Sequence, residues 1–379
     1  MEAVLKSVSL KLFLQAFGYV TPIIVLGRFS VDIYGDYVVQ TTYALLTSTL
    51  LGLSLGNTHI VFDNKSSYKL LLCSSVFLFT ILLLAGVYTG LIWLAAAAVF
   101  SLQKFNNAFL RDKRHITKFY AFQIVERLLF LVLVFASGNS WLINLSLMTF
   151  YVIASLIITV PVFLILSMRT YGRYLSVSGL TSLKELMLWS IRGHIGVAVQ
   201  KINTKLDLLL LSWFLSSAVV GYYNILISLS VLVWTLPDAL NSFLLKELVK
   251  APYERKVLLI KMYTRWVLLV VIGCLILYTF GGSVILSMYS GFPDGFAWML
   301  VVLTIGTGFF ALAKPRVRFF TSMNKPEIGS QVAILGLINT LIVAPLCIWQ
   351  AGISGAVVAS SLGYIVSALH VLRKPMIAI

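Results

Sequence analysis

The sequence has 379 residues, of which 60% are apolar and only 11% are charged, and these proportions exclude an ordinary water-soluble domain. The net charge of +16 does not indicate a nucleic-acid partner, because basic residues of membrane proteins collect in cytoplasmic loops. The three cysteines lie within apolar runs, so we expect neither a disulfide framework nor a metal site. No nucleotide-binding motif occurs, and no cofactor is expected.

Apolar runs bounded by charged or turn residues predict twelve membrane-crossing helices, since a span needs about 20 apolar residues. The first run has a basic start and no A-x-A-like cleavage site, so we interpret it as a retained helix. The least distinct seams lie at 86–88, at the SGNS stretch 137–140, and at Gly352, where two helices can be counted as one. The predicted spans are 8–27, 36–56, 67–85, 88–109, 117–136, 142–168, 186–212, 220–245, 257–280, 296–313, 329–349 and 352–371.

The distribution of basic residues tests this count of helices. Alternate loops, with their flanking helix ends, place nearly all 29 basic residues on the side of the N-terminus. The exceptions are Arg28 in an outer loop and Arg127, Lys201 and Lys205 within spans. By the positive-inside rule both termini are therefore cytoplasmic.

A Gly-x-Tyr motif occurs twice, as Gly35-x-Tyr37 and Gly221-x-Tyr223, each time after one long apolar run and before the next. We interpret each copy as an outer turn, in which Gly relieves a tight bend and Tyr anchors at the membrane interface. The two copies predict that the chain contains two repeats of a six-helix unit. Because six is even, the units enter the membrane from the same side, as in parallel-repeat transporters. The predicted lobes are 1–168 and 169–379.

The stretch INTKLDLLLLSWFLSSAVVGYYNILISLSVLVWTLPDALNSFLLKEL at 202–248 has an aspartate at the head of an apolar run, a short loop, Val-Gly-x-Tyr and Leu-Pro before a basic end. This stretch and VLGRFSVDIYGDY at 25–37 resemble Wzx-type polysaccharide flippases of the multidrug/oligosaccharidyl-lipid/polysaccharide exporter superfamily. The resemblance implies an all-α integral membrane protein, MATE-like, with two six-helix lobes around a central cavity. The chain departs from the group by being short and by lacking the extra helix pair of the lipid II flippase branch.

The resemblance also implies a function and a location. The substrate would be a polyprenyl-diphosphate-linked oligosaccharide, moved from the cytoplasmic to the outer leaflet of a bacterial inner membrane by alternating access for O-antigen, capsule or exopolysaccharide assembly. The partners would be the bilayer and other polysaccharide-assembly membrane proteins. Such a flippase is not an enzyme. It needs a wet, cationic cavity, because unsatisfied polar groups are costly in hydrocarbon.

The seventh span is the predicted wall of that cavity. Lys201 and Lys205 are four residues apart and His194 precedes Lys201 by seven, so a continuous helix would place all three on one face. Gln200 lies on a polar stripe beside them. The alternatives are that the lysines pair with acids of neighbouring helices or snorkel to an interface. Asp207 is a candidate for a salt bridge or for coupling to an ion.

In the fifth span, Glu126 and Arg127 lie close to mid-membrane. Adjacent helical residues point about 100° apart, so these two do not simply neutralise each other. Arg127 suits bidentate contact with phosphate, and a buried structural pair with a neighbouring helix is the alternative. Glu126, Asp207 and Asp238 are the candidates for coupling transport to an ion.

Prolines and basic residues elsewhere complete the candidate set. Lys11, Gln15 and Pro22 share one face of the first span. Proline removes a backbone hydrogen bond from a helix, so Pro22 and Pro237 are the predicted hinges. Lys314, Arg316 and Arg318 form a predicted cytoplasmic mouth that captures the diphosphate. The alternative is that these basic residues only set the topology of the chain in the membrane.

Two other functions remain open. A multidrug or cation antiporter of the same superfamily would present acidic residues to attract cations, and acids near the midplane are few. A membrane polysaccharide polymerase or glycosyltransferase would need a catalytic set of residues on a sizeable loop. The sequence offers only short loops, so a flippase is the favoured function.

Overall fold

The computed structural model describes residues 2–53, 55, 65–110, 116–137, 146–176, 183–323, 325 and 327–376. Within these ranges every regular element is a helix and no strand occurs, which confirms the predicted all-α class. The side chains of Lys11, Pro237 and Asp238 lie outside the described residues. The roles predicted for these three residues therefore stay predictions.

The described residues form twelve helical elements, and seven of their helices are long and apolar enough to cross a membrane. Their order follows the predicted spans with two differences. The seventh span is divided into α7 and α8, and the last two spans are joined in α12. The elements are α1 Glu2–Leu26, α2 Val31–Leu51, α3 Lys65–Thr89, α4 Ile92–Leu110, α5 Ile116–Ser137, α6 Leu147–Ser176, α7 Leu183–Asn203, α8 Leu206–Phe214, α9 Ser217–Lys250, α10 Tyr253–Ser287, α11 Ala297–Ser322 and α12 Glu327–Leu372.

Two glycines with positive φ mark the seams between helices. Gly90 has φ 70° between α3 and α4, so the seam predicted at 86–88 lies slightly later in the chain. Gly352 has φ 56° and ψ −131°, a conformation that glycine adopts because it has no Cβ. It divides α12 into arms 327–351 and 353–372, which confirms the predicted meeting of two helices there. Most of the predicted SGNS seam lies outside the described residues.

Close packing divides the chain into two units, which we call unit 1 and unit 2. Unit 1 comprises Met1–Phe17 and Asp36–Lys201, and unit 2 comprises Gly18–Gly35 and Ile202–Ile379. In unit 1, α4 packs against α3 and α6; in unit 2, α11 packs against α9, α10 and α12. These units group residues by packing, whereas the lobes 1–168 and 169–379 group them by sequence repeat. The lobes therefore stay a prediction, although α4 and α11 are each the fourth predicted span of their half.

The glycines of the two Gly-x-Tyr motifs lie inside helices, and the expected tight turns are wrong. Gly35 lies in the second turn of α2 and Gly221 in the second turn of α9, and both belong to unit 2. A methyl group on Gly35 would overlap the backbone carbonyl of Ser217. One on Gly221 would lie 3.0 Å from the carbonyl oxygen of Val31. The glycines thus let the N-terminal turns of α2 and α9 pack in direct contact.

Tyr223 is a core residue, so the interface anchor expected there is wrong, whereas Tyr37 is partly buried and packs against the core of unit 1. Tyr223 is fully buried, and its hydroxyl donates a hydrogen bond to Asp207 Oδ2 at 2.7 Å. Tyr37 stacks on Phe130, with ring centroids 5.6 Å apart. Each aromatic ring therefore stabilises the interior of its own unit.

Alanine at Gly35 is expected to lower the free energy of unfolding by about 1–3 kcal/mol, the usual cost of overpacking a tight contact. Gly273→Ala is the matched control, because Gly273 is an exposed helical glycine at which an added methyl group would have nothing within 4 Å. Alanine is the better helix former, so the control is expected to be neutral or slightly stabilising. Thermal unfolding of both variants in detergent checks the difference, and equal midpoints would contradict the close helix contact.

Candidate functional site

Lys104 of α4 reaches the C-terminal end of α2. Its ammonium group donates a hydrogen bond to the carbonyl oxygen of Ser48, which also accepts the backbone N–H of Gly52 at 3.0 Å. A lysine here interacts favourably with the last carbonyls and the negative end of the helix dipole. Gly52 leaves room for this group, since a methyl group at Gly52 would lie 2.6 Å from Lys104 Nζ. The fold therefore holds the amino group of Lys104 in one place.

A cavity of about 270 Å³ lies beside this ammonium group inside unit 1. Residues of α2, α3, α4 and α7 form its wall, which combines apolar side chains with hydroxyl, amide and ammonium groups. Among the described residues of this lining there is no carboxylate. The polar lining includes Ser48, Ser75, Gln103, Lys104, Asn107 and Lys201.

Lys201 is the predicted substrate-binding residue that lines this cavity. It is exposed on α7, and Val197, one turn earlier on the same helix, lines the cavity with it. Lys201 lies close enough to Lys104 to interact with it electrostatically. Lys104 was not predicted as a site residue, because its charge was attributed to membrane topology. The available signal was its position inside the apolar fourth span, several residues before the following loop.

His194 and Gln200 are not among the described residues that line the cavity. His194 is buried, and its Nε2–H donates a hydrogen bond to the carbonyl oxygen of Leu50 at 3.1 Å. Ser190, one turn earlier, donates to the carbonyl oxygen of Leu53. These contacts fasten α7 to the end of α2, so the structure gives His194 a packing role. Gln200 is exposed.

The predicted placement of Lys201 and Lys205 on one helical face is wrong. Helix α7 ends at Asn203, and Lys205 has the non-helical angles φ −133° and ψ −8° before α8 begins. The boundary between the units also follows Lys201 directly. Lys205 instead interacts electrostatically with Asp207 inside unit 2, and its role in substrate binding stays a prediction.

Glu126 is the centre of a polar network within unit 1. Gln103 Nε2 of α4 donates to both carboxylate oxygens, at 3.0 and 3.2 Å. The hydroxyl of Ser155 on α6 donates to the same group, and Tyr151 on α6 also interacts with it by a hydrogen bond. One carboxyl group of α5 therefore connects three helices. Because Gln103 also lines the cavity, this network lies directly behind the cavity wall.

Arg127 contacts the first helix. Its Nη1 donates a hydrogen bond to the carbonyl oxygen of Leu14 at 2.6 Å, which favours the structural alternative over phosphate contact. The adjacent Gln15 has a buried Oε1 atom without a hydrogen-bond partner among the described residues. Pro22 is buried within α1, and its role as a hinge stays a prediction.

Asp207 has a network of its own in unit 2. It is buried at the start of α8 and accepts hydrogen bonds from Tyr223 and from Ser360 of α12. A space of about 10 Å³ beside it is bordered by Asn203, Thr340 and other residues of unit 2. Among the described residues no group of three or more His, Cys, Asp or Glu side chains could hold a metal ion.

The predicted cytoplasmic mouth consists of three residues in different surroundings. Lys314 Nζ lies 4.3 Å from the ring centroid of Trp234, at the distance of a cation–π contact. Arg316 donates a hydrogen bond to the carbonyl oxygen of Leu372 at the end of α12. Arg318 is exposed. Two of the three therefore have intramolecular partners that account for their positions.

Comparisons with known proteins support the fold. No protein-family model matches the chain, and no curated protein matches it in sequence. The solved structure of the lipid II flippase MurJ, in an inward closed conformation, is 13% identical with a TM-score of 0.75, over 96% of this chain and 86% of that one.

Transporters of the MOP superfamily have the same fold. An inward-facing MATE multidrug resistance transporter is 11% identical with a TM-score of 0.72, over 97% of this chain and 96% of that one. A MOP superfamily transporter from Pyrococcus furiosus, reported with a binding pocket of reverse polarity, is 12% identical with a TM-score of 0.63 over 97% and 93%. The chain therefore has the fold that the MurJ flippase and the MATE transporters share.

Proposed function

We propose that the protein is a flippase that moves a polyprenyl-diphosphate-linked oligosaccharide from the cytoplasmic to the outer leaflet of a bacterial inner membrane by alternating access. It changes no covalent bond of its substrate and is therefore a transporter rather than an enzyme. Both of its termini lie in the cytoplasm. The fold supports this proposal, because the solved structures that share it include a lipid flippase and several transporters.

The basic residues of the cavity are the observation that favours an anionic substrate. Lys104 and Lys201 line the cavity without a carboxylate in the described lining. Glu126 and Asp207 each accept hydrogen bonds inside their own unit. A site that attracts cations needs negative charge on its surface. The cavity therefore favours a phosphate-bearing substrate over the cations that a multidrug antiporter exports.

Several residues have proposed roles in the transport cycle. Glu126, Asp207 and Asp238 are proposed to couple transport to an ion, since ionisable groups inside membranes mark ion and proton pathways. Pro22 and Pro237 are the proposed hinges. The proposed cytoplasmic mouth for the diphosphate remains Lys314, Arg316 and Arg318.

In proteoliposomes, Lys201→Gln is expected to slow translocation of a fluorescent polyprenyl-diphosphate glycan about tenfold or more, the factor that one lost charge-assisted hydrogen bond represents. The control is Lys69→Gln, which removes an exposed lysine of α3 in the same unit and is expected to leave the rate unchanged. A wild-type protein that moves a cationic dye but not the glycan would refute the proposed function.

A further inference from the structure

We infer that α10 binds the headgroup of an anionic phospholipid, such as phosphatidylglycerol, through Lys261 and Arg265 on the face that this helix presents to the bilayer. The leaflet is the one at the N-terminal end of α10, which is cytoplasmic in the proposed topology. The inference goes beyond the proposed function, because it requires a membrane-spanning α10 but no particular transported substrate.

The outer face of α10 is open to lipid. Among the seven long apolar helices of the described residues, α10 has the least buried apolar segment. Leu269, Ile272 and Ile276 are exposed, Leu269 to 60%. These three residues follow Arg265 at spacings of four, three and four, so all four lie on one helical face. Arg265 therefore projects from the same face as the apolar side chains that contact acyl chains.

The length of α10 places the two cations at the level of lipid headgroups. A span needs about 20 residues, and counting back from Ser287 at the end of α10 reaches about residue 267. Trp266 directly precedes this point and is 62% exposed, as is typical of tryptophans at a membrane interface. Arg265 and Lys261 come next toward the aqueous phase. An amphipathic ring and two cations thus occur at the depth of a phosphate group.

The two cations are not neutralised by acids of α10 or by Glu247 of α9. Lys261 and Arg265 are exposed and one turn apart, a spacing at which like charges repel. The single acid of α10, Glu254, lies seven residues before Lys261, about 10 Å along the axis. Glu247 interacts instead with Tyr263, which points to the opposite side of α10. An anion between the two cations would relieve their repulsion and accept hydrogen bonds from both.

Membrane topology alone does not account for the outward direction of these side chains. The positive-inside rule requires basic residues on one side of the membrane, whichever way they point. Lys256, Lys314 and Arg316 have partners inside the protein. The carbonyl oxygen of Ser322, for example, accepts a hydrogen bond from Lys256 Nζ at 3.2 Å. Lys261 and Arg265 differ from these three because they extend outward beside exposed apolar residues.

A second copy of the chain is the other occupant that an exposed apolar face could have. In a symmetric dimer the same patch of both copies meets across the axis. The Lys261 and Arg265 side chains of the two copies would then approach each other at the same depth, and juxtaposed like charges are unfavourable. A lipid phosphate supplies the opposite charge. The charge of this face therefore favours an anionic lipid as its occupant.

The test is fluorescence quenching of Trp266 by lipids with brominated acyl chains. The purified full-length protein is placed in phosphatidylcholine vesicles with increasing fractions of brominated phosphatidylglycerol or brominated phosphatidylcholine. The chain has eight tryptophans, so the signal of Trp266 is the difference between proteins with and without Trp266→Phe. We expect phosphatidylglycerol to quench Trp266 at lower fractions than phosphatidylcholine. Lys261→Gln and Arg265→Gln are each expected to lower this preference about fivefold, the factor for about 1 kcal/mol per basic residue near an anionic surface.

Two variants control for charge and position. Arg265→Lys keeps the positive charge and is expected to retain the preference. Arg255→Gln removes another exposed cation of α10, ten residues and therefore about 15 Å before Arg265. This distance exceeds the screening length of about 8 Å at physiological salt, so Arg255→Gln is expected to match wild type.

Three results would overturn the proposal. The first is equal quenching of Trp266 by the two brominated lipids, and the second is an unchanged preference in a folded Lys261→Gln/Arg265→Gln protein. The third is a Trp266 signal that neither lipid quenches, because this face would then be covered by protein, such as a second copy. The measurement involves no transport, so its result is independent of whether the protein translocates a lipid-linked glycan.

Discussion

Replacing Asp207 by alanine is expected to lower the free energy of unfolding by about 3 kcal/mol, because hydrogen bonds to a charged group contribute roughly 1.5–3 kcal/mol each. Asp207 is 4% exposed. It accepts hydrogen bonds from the Tyr223 hydroxyl at 2.7 Å, the Leu208 N–H at 2.8 Å and the Ser360 hydroxyl at 3.3 Å. The hydroxyls of Tyr223 and Ser360 also lie 2.7 Å from each other, so part of the network survives, and the loss stays below the sum of the three bonds.

Two variants control for shape and charge. Asp207→Asn keeps one oxygen that accepts from the hydroxyls of Tyr223 and Ser360, as Oδ2 does, and loses only the acceptor for the Leu208 N–H, so we expect a smaller loss than with alanine. Asp294→Ala removes an exposed aspartate between α10 and α11 and is expected to leave stability unchanged. Chemical denaturation in detergent provides the ranking, and an Asp207→Ala protein as stable as Asp294→Ala would contradict the buried network.

The same variants separate the structural role of Asp207 from its proposed coupling role. Asparagine preserves most of the packing but cannot exchange a proton or neutralise a cation. A folded Asp207→Asn protein with lost transport supports coupling, whereas normal transport restricts Asp207 to stabilising α8 against α9 and α12.

The helices were predictable because a membrane-spanning helix requires a long apolar segment. Apolar length and the one-sided distribution of basic residues predicted the spans, and α1 to α12 follow their order. Gly352 was predictable too, since a glycine between two long apolar runs favours a break. Its backbone angles, φ 56° and ψ −131°, are ones that other residues adopt only with strain.

The break between α7 and α8 was not predictable from the local sequence. No proline or glycine occurs between Asn203 and Leu206, and helical periodicity therefore extended through Lys205. Asn203 and Asp207 instead make contacts with residues far along the chain, such as Thr340 and Ser360. Tertiary contacts of this kind override helix propensity, and a single sequence does not reveal them.

The cavity illustrates the same limit for the candidate site. Lys201 was identified because a charge inside a span requires a reason, and it does line the cavity. Lys104 was assigned to topology, because its partner Ser48 lies on another helix and its space depends on Gly52. Spacing along one helix identifies a polar face, but the residues opposite that face come from the fold.

Replacing Glu126 by alanine is expected to lower the free energy of unfolding by about 2–3 kcal/mol, because Glu126 is partly buried and hydrogen bonds to a charged group contribute roughly 1.5–3 kcal/mol each. The carboxylate receives hydrogen bonds from Gln103 on α4 and Ser155 on α6, and it interacts electrostatically with the adjacent Arg127. Alanine would remove the connection among α4, α5 and α6 and leave Arg127 with the carbonyl of Leu14 as acceptor.

Glu126→Gln and Glu185→Ala distinguish the network from the loss of an acid. Glutamine keeps an acceptor at the same length and is expected to retain more stability than alanine. Glu185 is exposed in the first turn of α7, so its replacement is expected to change stability by less than about 1 kcal/mol. A Glu126→Ala protein as stable as Glu185→Ala would show that the network does not hold α4, α5 and α6 together.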